Sequence, residues 1–150
     1  MDLNPDFFDV VAALREEGAE FLVVGAFAMA AHGVPRATGD LDLWIRPVPE
    51  NASRVWRALL RFGAPVEAAS LTVEDLASPY MVFQMGQPPR RVDIITGIDG
   101  VSFEDAWPNR KVVTVEGLEV PCLGRSELIR NKKASGREKD LLDVKTLEGQ

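Results

Sequence analysis

Hydrophobic and polar positions follow two different periods along this chain. Phe7, Val10, Val11 and Leu14 recur at helical spacing behind Asn4-Pro5-Asp6, which supplies an N-cap, a proline at the first helical position and an acid in the first turn. Gly18 closes that helix. Phe21 to Val24 is a short unbroken apolar run, the mark of an interior strand. Gly25 breaks it, and the small residues Ala26 to Ala31 predict a helix ending at His32-Gly33-Val34-Pro35. Asp40 to Ile45 then alternates with period two. Leu41, Leu43 and Ile45 take one face of this strand; Asp40, Asp42 and Trp44 take the other.

Pro47 and Pro49 stop the strand, and Ala52, Val55, Trp56, Leu59 and Phe62 mark an amphipathic helix closed by Gly63. Thr72 to Leu76 reads as a short capped turn. Tyr80–Met85 and Arg91–Ile95 predict a hairpin around Gly86-Gln87-Pro88-Pro89, and Lys111–Val115 with Leu118–Leu123 predict a second around Glu116-Gly117. Ser126–Lys133 and Glu138–Leu147 read as closing helices. Strands and helices mix without a regular βα alternation, so the expected class is α+β, a mixed sheet flanked by helices. At 150 residues one domain over 1–150 is expected, with a C-terminal helical part at about 124–148.

Composition narrows the function classes. The hydrophobic fraction is 46% and the charged fraction 27%, which excludes global disorder. No apolar run is long enough to span a bilayer, so no membrane partner is expected. The acidic start does not resemble a signal peptide, and the single cysteine, Cys122, fits a reducing compartment; a cytoplasmic location follows as an expectation. One histidine, His32, excludes a multi-histidine metal site and is expected to sit at a helix end. The net charge of −6 disfavours binding of a long nucleic acid by bulk electrostatics. Residues 125–139 depart from that balance: Arg125, Arg130, Lys132, Lys133, Arg137 and Lys139 face only Glu127 and Glu138, a patch suited to a small polyanion.

Candidate chemistry lies on the polar strand face. Asp40 and Asp42 leave the same side of one strand, and paired hard oxygen ligands suit Mg²⁺, with Mn²⁺ as the alternative. The turn at Gly25 would present backbone N–H groups to a phosphate. Asp93 sits mid-strand with Val92 and Ile94 on the opposite face, so it joins the other two aspartates if its strand lies beside theirs. Three carboxylates on one face, next to a phosphate-binding turn, describe a two-metal phosphoryl-transfer site, with Asp93 expected to hold the second ion. Trp44, Trp56 and Trp107 are expected to pack, although Trp44 shares the aspartate face and is a candidate to touch a base or acceptor. Cys122 is expected to be inert core.

The stretch Val24-Gly25-Ala26-Phe27-Ala28-Met29-Ala30-Ala31-His32-Gly33-Val34-Pro35-Arg36-Ala37-Thr38-Gly39-Asp40-Leu41-Asp42-Leu43 resembles the signature of the DNA polymerase beta-like nucleotidyltransferase superfamily. The nearer resemblance is to the small bacterial toxin-type and minimal nucleotidyltransferases, including the AbiEii-like group. The tail Asn131 to Val144, with Arg137-Glu138-Lys139-Asp140-Leu141-Leu142-Asp143, resembles their lysine-rich ending. The turn departs from the pattern: Ala26 stands where the family carries Gly or Ser.

The resemblance implies a Mg²⁺-dependent enzyme (EC 2.7.7-type) moving a nucleoside monophosphate from a nucleoside triphosphate to an acceptor hydroxyl. An RNA or tRNA end, a protein side chain and a small molecule all remain open as acceptors. Asp40, Asp42 and Asp93 would be catalytic and metal-binding. Gly25, Ala26, Arg36, Lys132 and Asp140 would bind the nucleotide. Asp140 and Asp143 share a helix face and would pair with Lys132 or Lys139, or touch the base. An antitoxin protein is the partner the toxin-type likeness implies. The alternative is a nucleotide- or partner-binding module without turnover, motivated by Ala26.

Overall fold

The computed structural model describes residues 3–150. The first helix, α1 (Pro5–Glu16), starts where the Asn4 side chain accepts a hydrogen bond from the Phe7 amide. Strand β1 (Phe21–Val24) follows, buried on both faces, and runs directly into α2 (Gly25–Ala31). Next come β2 (Asp40–Ile45) and α3 (Pro49–Phe62), which ends on Gly63 in the left-handed region. Strands β3 (Val82–Met85) and β4 (Arg91–Ile95) form one hairpin; β5 (Lys111–Val115) and β6 (Leu118–Cys122) form the other. A four-residue helix, α4 (Phe103–Ala106), sits between the hairpins, and α5 (Arg125–Ser135) and α6 (Glu138–Glu148) close the chain.

All six strands join one mixed sheet in the order β3-β4-β2-β1-β6-β5. The buried pair β1 and β2 is central and antiparallel; β4 and β6 dock on it in parallel, each bringing its hairpin partner to an edge. The pleat sorts side chains to two cores. Phe21, Val23, Leu41, Leu43, Ile45, Val92 and Ile94 meet α1 and α3 on one side. Leu22, Val24 and Trp44 meet α2, α4, α5 and α6 on the other. The α+β class with a mixed sheet is therefore observed as expected.

One boundary needs correction, and one element adds to the expected set. Strand β3 starts at Val82 and not Tyr80, because Tyr80 takes φ +54° and the Thr96 hydroxyl accepts from the Met81 amide at 2.6 Å. Helix α4 went unread, since four residues carry no period; its only signal is Ser102, whose hydroxyl caps the Asp105 amide. Trp44 packs, as expected, and does not line the cleft beside the aspartates. It is 2% exposed and packs edge-to-face on Phe103 with ring centroids 5.0 Å apart.

Candidate active site

The site begins with the pleat of β2, which aims Asp40 and Asp42 at the α2–α6 side of the sheet. Parallel pairing of β2 with β4 sets Asp93 directly opposite Asp42 and Arg91 opposite Asp40. Antiparallel pairing with β1 sets Val24 opposite Asp42, so the following turn lies over that carboxylate. Gly25 has φ +70°, and a Cβ there would stand 2.4 Å from Asp42 Oδ2. Only glycine allows that turn and that approach together.

The three carboxylates differ in their surroundings. Asp93 is 7% exposed and is gripped by Arg91 through two parallel hydrogen bonds, Nε to Oδ1 and Nη2 to Oδ2, each 3.0 Å. The same Nη2 lies 3.5 Å from Asp40 Oδ2. Among the described residues Asp42 makes no ion pair. Burial first, then the neighbouring Asp93 and Asp40 charges, push its carboxyl up to about 6, and only the nearby Arg91 charge opposes the rise. Asp40 Oδ1 is buried with no hydrogen-bond partner. Among the described residues no three His, Cys, Asp or Glu side chains are gathered as a ready cage, which agrees with Arg91 holding Asp93 aside. The donor set still fits a hard divalent cation: an unpartnered oxygen on Asp40 and a carboxylate on Asp42 that the nearby Arg91 only partly offsets share one face.

A cleft of about 360 Å³ opens beside them, lined on one wall by Gly25, Ala26, Thr38, Asp40 and Asp42. The facing wall comprises Arg36, Lys132, Arg137, Lys139, Asp140 and Asp143. Lys132 Nζ lies 2.8 Å from Asp143 Oδ2 and 3.5 Å from Asp140 Oδ1. Arg36 pairs with Asp143, and Arg137 Nε donates to Asp140 Oδ2 at 2.7 Å. Asp140 is 1% exposed. Burial alone would raise its carboxyl, but Arg137 and Lys132 overcome this and hold it below the usual range. Burial also lowers the Lys132 ammonium, against the pull of Asp140.

The structure thus brings Gly25, Ala26, Arg36, Asp40, Asp42, Lys132 and Asp140 around one cleft, and places Asp93 behind Asp42, outside the lining. Of the two partners expected for Asp140 and Asp143, Lys132 pairs with both; Lys139 lines the cleft without an ion pair. Arg91 and Arg137 were missed as members of the site. Arg91 was findable, since residues two apart on a strand share a face; Arg137 precedes α6, and its signal lay in the basic patch and the tail motif. His32 caps α2, and its Nε2 meets the Leu123 carbonyl at 2.8 Å. Cys122 is fully buried, which pushes its thiol up to about 12 and keeps it inert.

By sequence the chain matches no protein-family model and no curated protein. Solved structures do match its backbone. The nucleotidyltransferase-type protein TM1012 of Thermotoga maritima aligns over 95% of this chain and 88% of its own, with a TM-score of 0.55 and 14% identity. The protein has a nucleotidyltransferase fold. The lincosamide antibiotic adenylyltransferase LnuA, solved with lincomycin, aligns over 98% of this chain and 97% of its own, with a TM-score of 0.56 and 10% identity. The antibiotic-resistance factor ANT(2'')-Ia aligns over 95% and 80%, with a TM-score of 0.58 and 12% identity; it has also been solved with adenylyl-2''-tobramycin. No helix among the described residues is long and apolar enough to cross a membrane.

Proposed function

We propose that this protein moves a nucleoside monophosphate from a nucleoside triphosphate to an acceptor hydroxyl, using Mg²⁺ or Mn²⁺ at its aspartates. The observation that carries this reading is the cleft itself. One wall has too few cations for its carboxylates, and the other has more cations than carboxylates. A metal–triphosphate complex supplies what each wall lacks.

Asp40 and Asp42 would hold the cation, which when bound neutralises triphosphate charge and polarises the reacting phosphorus. Gly25 and Ala26 would offer backbone N–H groups to the phosphates. Arg36, Lys132 and Arg137 would take the remaining negative charge. Asp140 would act by holding Lys132 and Arg137 in place, since it is itself almost wholly buried. Asp93 would accept the proton of the attacking hydroxyl. The acceptor oxygen then bonds to the α-phosphorus, the bond from that phosphorus to the bridging oxygen breaks, and pyrophosphate leaves.

For the acceptor, the likeness to LnuA and ANT(2'')-Ia favours a small-molecule hydroxyl as the first class to test. The basic tail agrees: Lys132, Arg137 and Lys139 line the nucleotide cleft, so they are not a free track for RNA. A toxin role, with an antitoxin as partner, predicts growth arrest on expression that Asp42→Ala relieves. The second reading, a binding module without turnover, rests on Ala26, which meets the cleft with a methyl and no hydroxyl.

The deciding experiment is label transfer. Each α-labelled nucleoside triphosphate is incubated with protein, Mg²⁺ and either a cell extract or a panel of hydroxylated small molecules. Asp42→Ala serves as the control. Label on an acceptor, absent with the variant, supports the enzyme. Nucleotide binding without transfer to any acceptor moves the assignment to the binding module.

A further inference from the structure

Arg91 is the only cation touching the aspartates of β2 and β4 among the described residues. It does more than balance charge. Residues two apart on a strand lie about 6.6 Å apart on the same face, so a long side chain can fold over the neighbouring carboxylate. Arg91 does this to Asp93, engaging both oxygens through its planar fork. Its Nη2 then sits between Asp93 Oδ2 at 3.0 Å and Asp40 Oδ2 at 3.5 Å. With the guanidinium seated there, those two oxygens would not both be open to a divalent cation. The guanidinium and that cation exclude each other. Among the described residues the same arrangement leaves Asp40 Oδ1 without a hydrogen-bond partner and Asp42 without an ion pair. The Arg91 side chain is about one-third exposed, so it has open space to leave its seat.

We infer that Arg91 is a latch on the third carboxylate. It reserves Asp93, so the resting protein takes a single divalent cation at Asp40 and Asp42, and a second enters only when Arg91 swings out. The inference rests on the reading that Asp40 and Asp42 bind a divalent cation. It adds a positioning residue, Arg91, and an order of loading. The latch also keeps Asp93 from meeting an acceptor before the first cation and nucleotide are in place, because the cation competes for the carboxylates that hold Arg91 and the triphosphate for its guanidinium.

Binding of Mn²⁺ in the absence of nucleotide, followed by loss of the free-ion electron paramagnetic resonance signal, tests this without any activity readout. The wild type should take one ion per chain, lost in Asp42→Asn. Arg91→Ala should take two, the second binding roughly ten- to hundredfold more tightly than any second ion in the wild type, the range expected for releasing a charge-assisted bidentate pair. Arg91→Lys keeps a positive charge to support folding but lacks the fork. It should bind the second ion with intermediate affinity, and circular dichroism confirms that each variant is folded. Two equivalent ions in the wild type, or one ion in both Arg91 variants, would overturn the latch while leaving the metal reading intact. No ion bound by the wild type or by either Arg91 variant, with or without a non-hydrolysable nucleoside triphosphate, would overturn the metal reading and the latch with it.

Discussion

Two carboxylate clusters face each other in this molecule, and they are solved in opposite ways. Asp40, Asp42 and Asp93 share one guanidinium, Arg91, and leave an oxygen of Asp40 without any partner. Asp140 and Asp143 are met by three cations, Arg36, Lys132 and Arg137. Burial acts on both, yet the Asp42 carboxyl is pushed up while that of Asp140 is held down. In the first cluster, burial and like charge work against the ionised Asp42. The second stabilises the fold and still has positive charge to share with an anion. Compensated and uncompensated charge are thus separated onto two walls of one cleft.

The largest expected effect breaks the first wall functionally. Asp42→Ala should lower label transfer by about a thousandfold or more while the circular dichroism spectrum is retained. Retained turnover in the folded variant would remove Asp42 from the site. The next effect breaks the second wall structurally. Asp140→Asn strips a buried partner from Lys132 and Arg137 and should cost about 3 kcal/mol in urea unfolding. An unchanged midpoint would mean that those ion pairs contribute nothing.

The contrast is sharpest where the same change has the opposite sign. Asp42→Asn should stabilise the metal-free protein at pH 8 by about 2 kcal/mol. The reason is linkage. The Asp42 carboxyl is raised from 3.8 to about 6 in the fold, so between those values the native state binds more protons than the unfolded chain. Stability falls as pH rises through that window, by on the order of 3 kcal/mol, and the penalty is complete above it. Asp42→Asn should flatten this slope, and saturating Mg²⁺ should offset it. A wild-type curve flat between pH 4 and 7 without metal would contradict the charge deficit. The smallest effect is Arg36→Ala, which removes one of three cations. A rise of about tenfold in KM for the nucleotide with little change in Tm is expected.

Much of the fold was legible because its signals are local. The interior strand at Phe21–Val24, the alternation of Asp40–Ile45, the glycine ends of the helices and the Glu116-Gly117 hairpin all depend on residues within a few positions of one another. The capped turn at Thr72 is borne out for the same reason: Thr72 and Asp75 exchange side-chain to backbone hydrogen bonds ahead of the short helical turn at Asp75–Ala77. Trp44 shows the limit of this legibility. Its face was read correctly, but nothing local told whether the space above that face was cleft or core. Phe103, on a helix too short to leave a period, fills it.

By itself the sequence determined which side chains share a face: Asp40 with Asp42, Arg91 with Asp93, and Asp140 with Asp143. Those relations follow from strand and helix periods, which are properties of the backbone alone. Tertiary structure decided which faces meet. Parallel pairing of β2 with β4 put Asp93 opposite Asp42, and the packing of α5 and α6 brought Lys132, Arg137 and Asp140 across from Gly25. It also decided which charges are compensated. The effect of a charge depends on burial and on partners a few ångströms away, and residues as far apart in the chain as Arg36 and Asp143 become such partners only when the chain has folded.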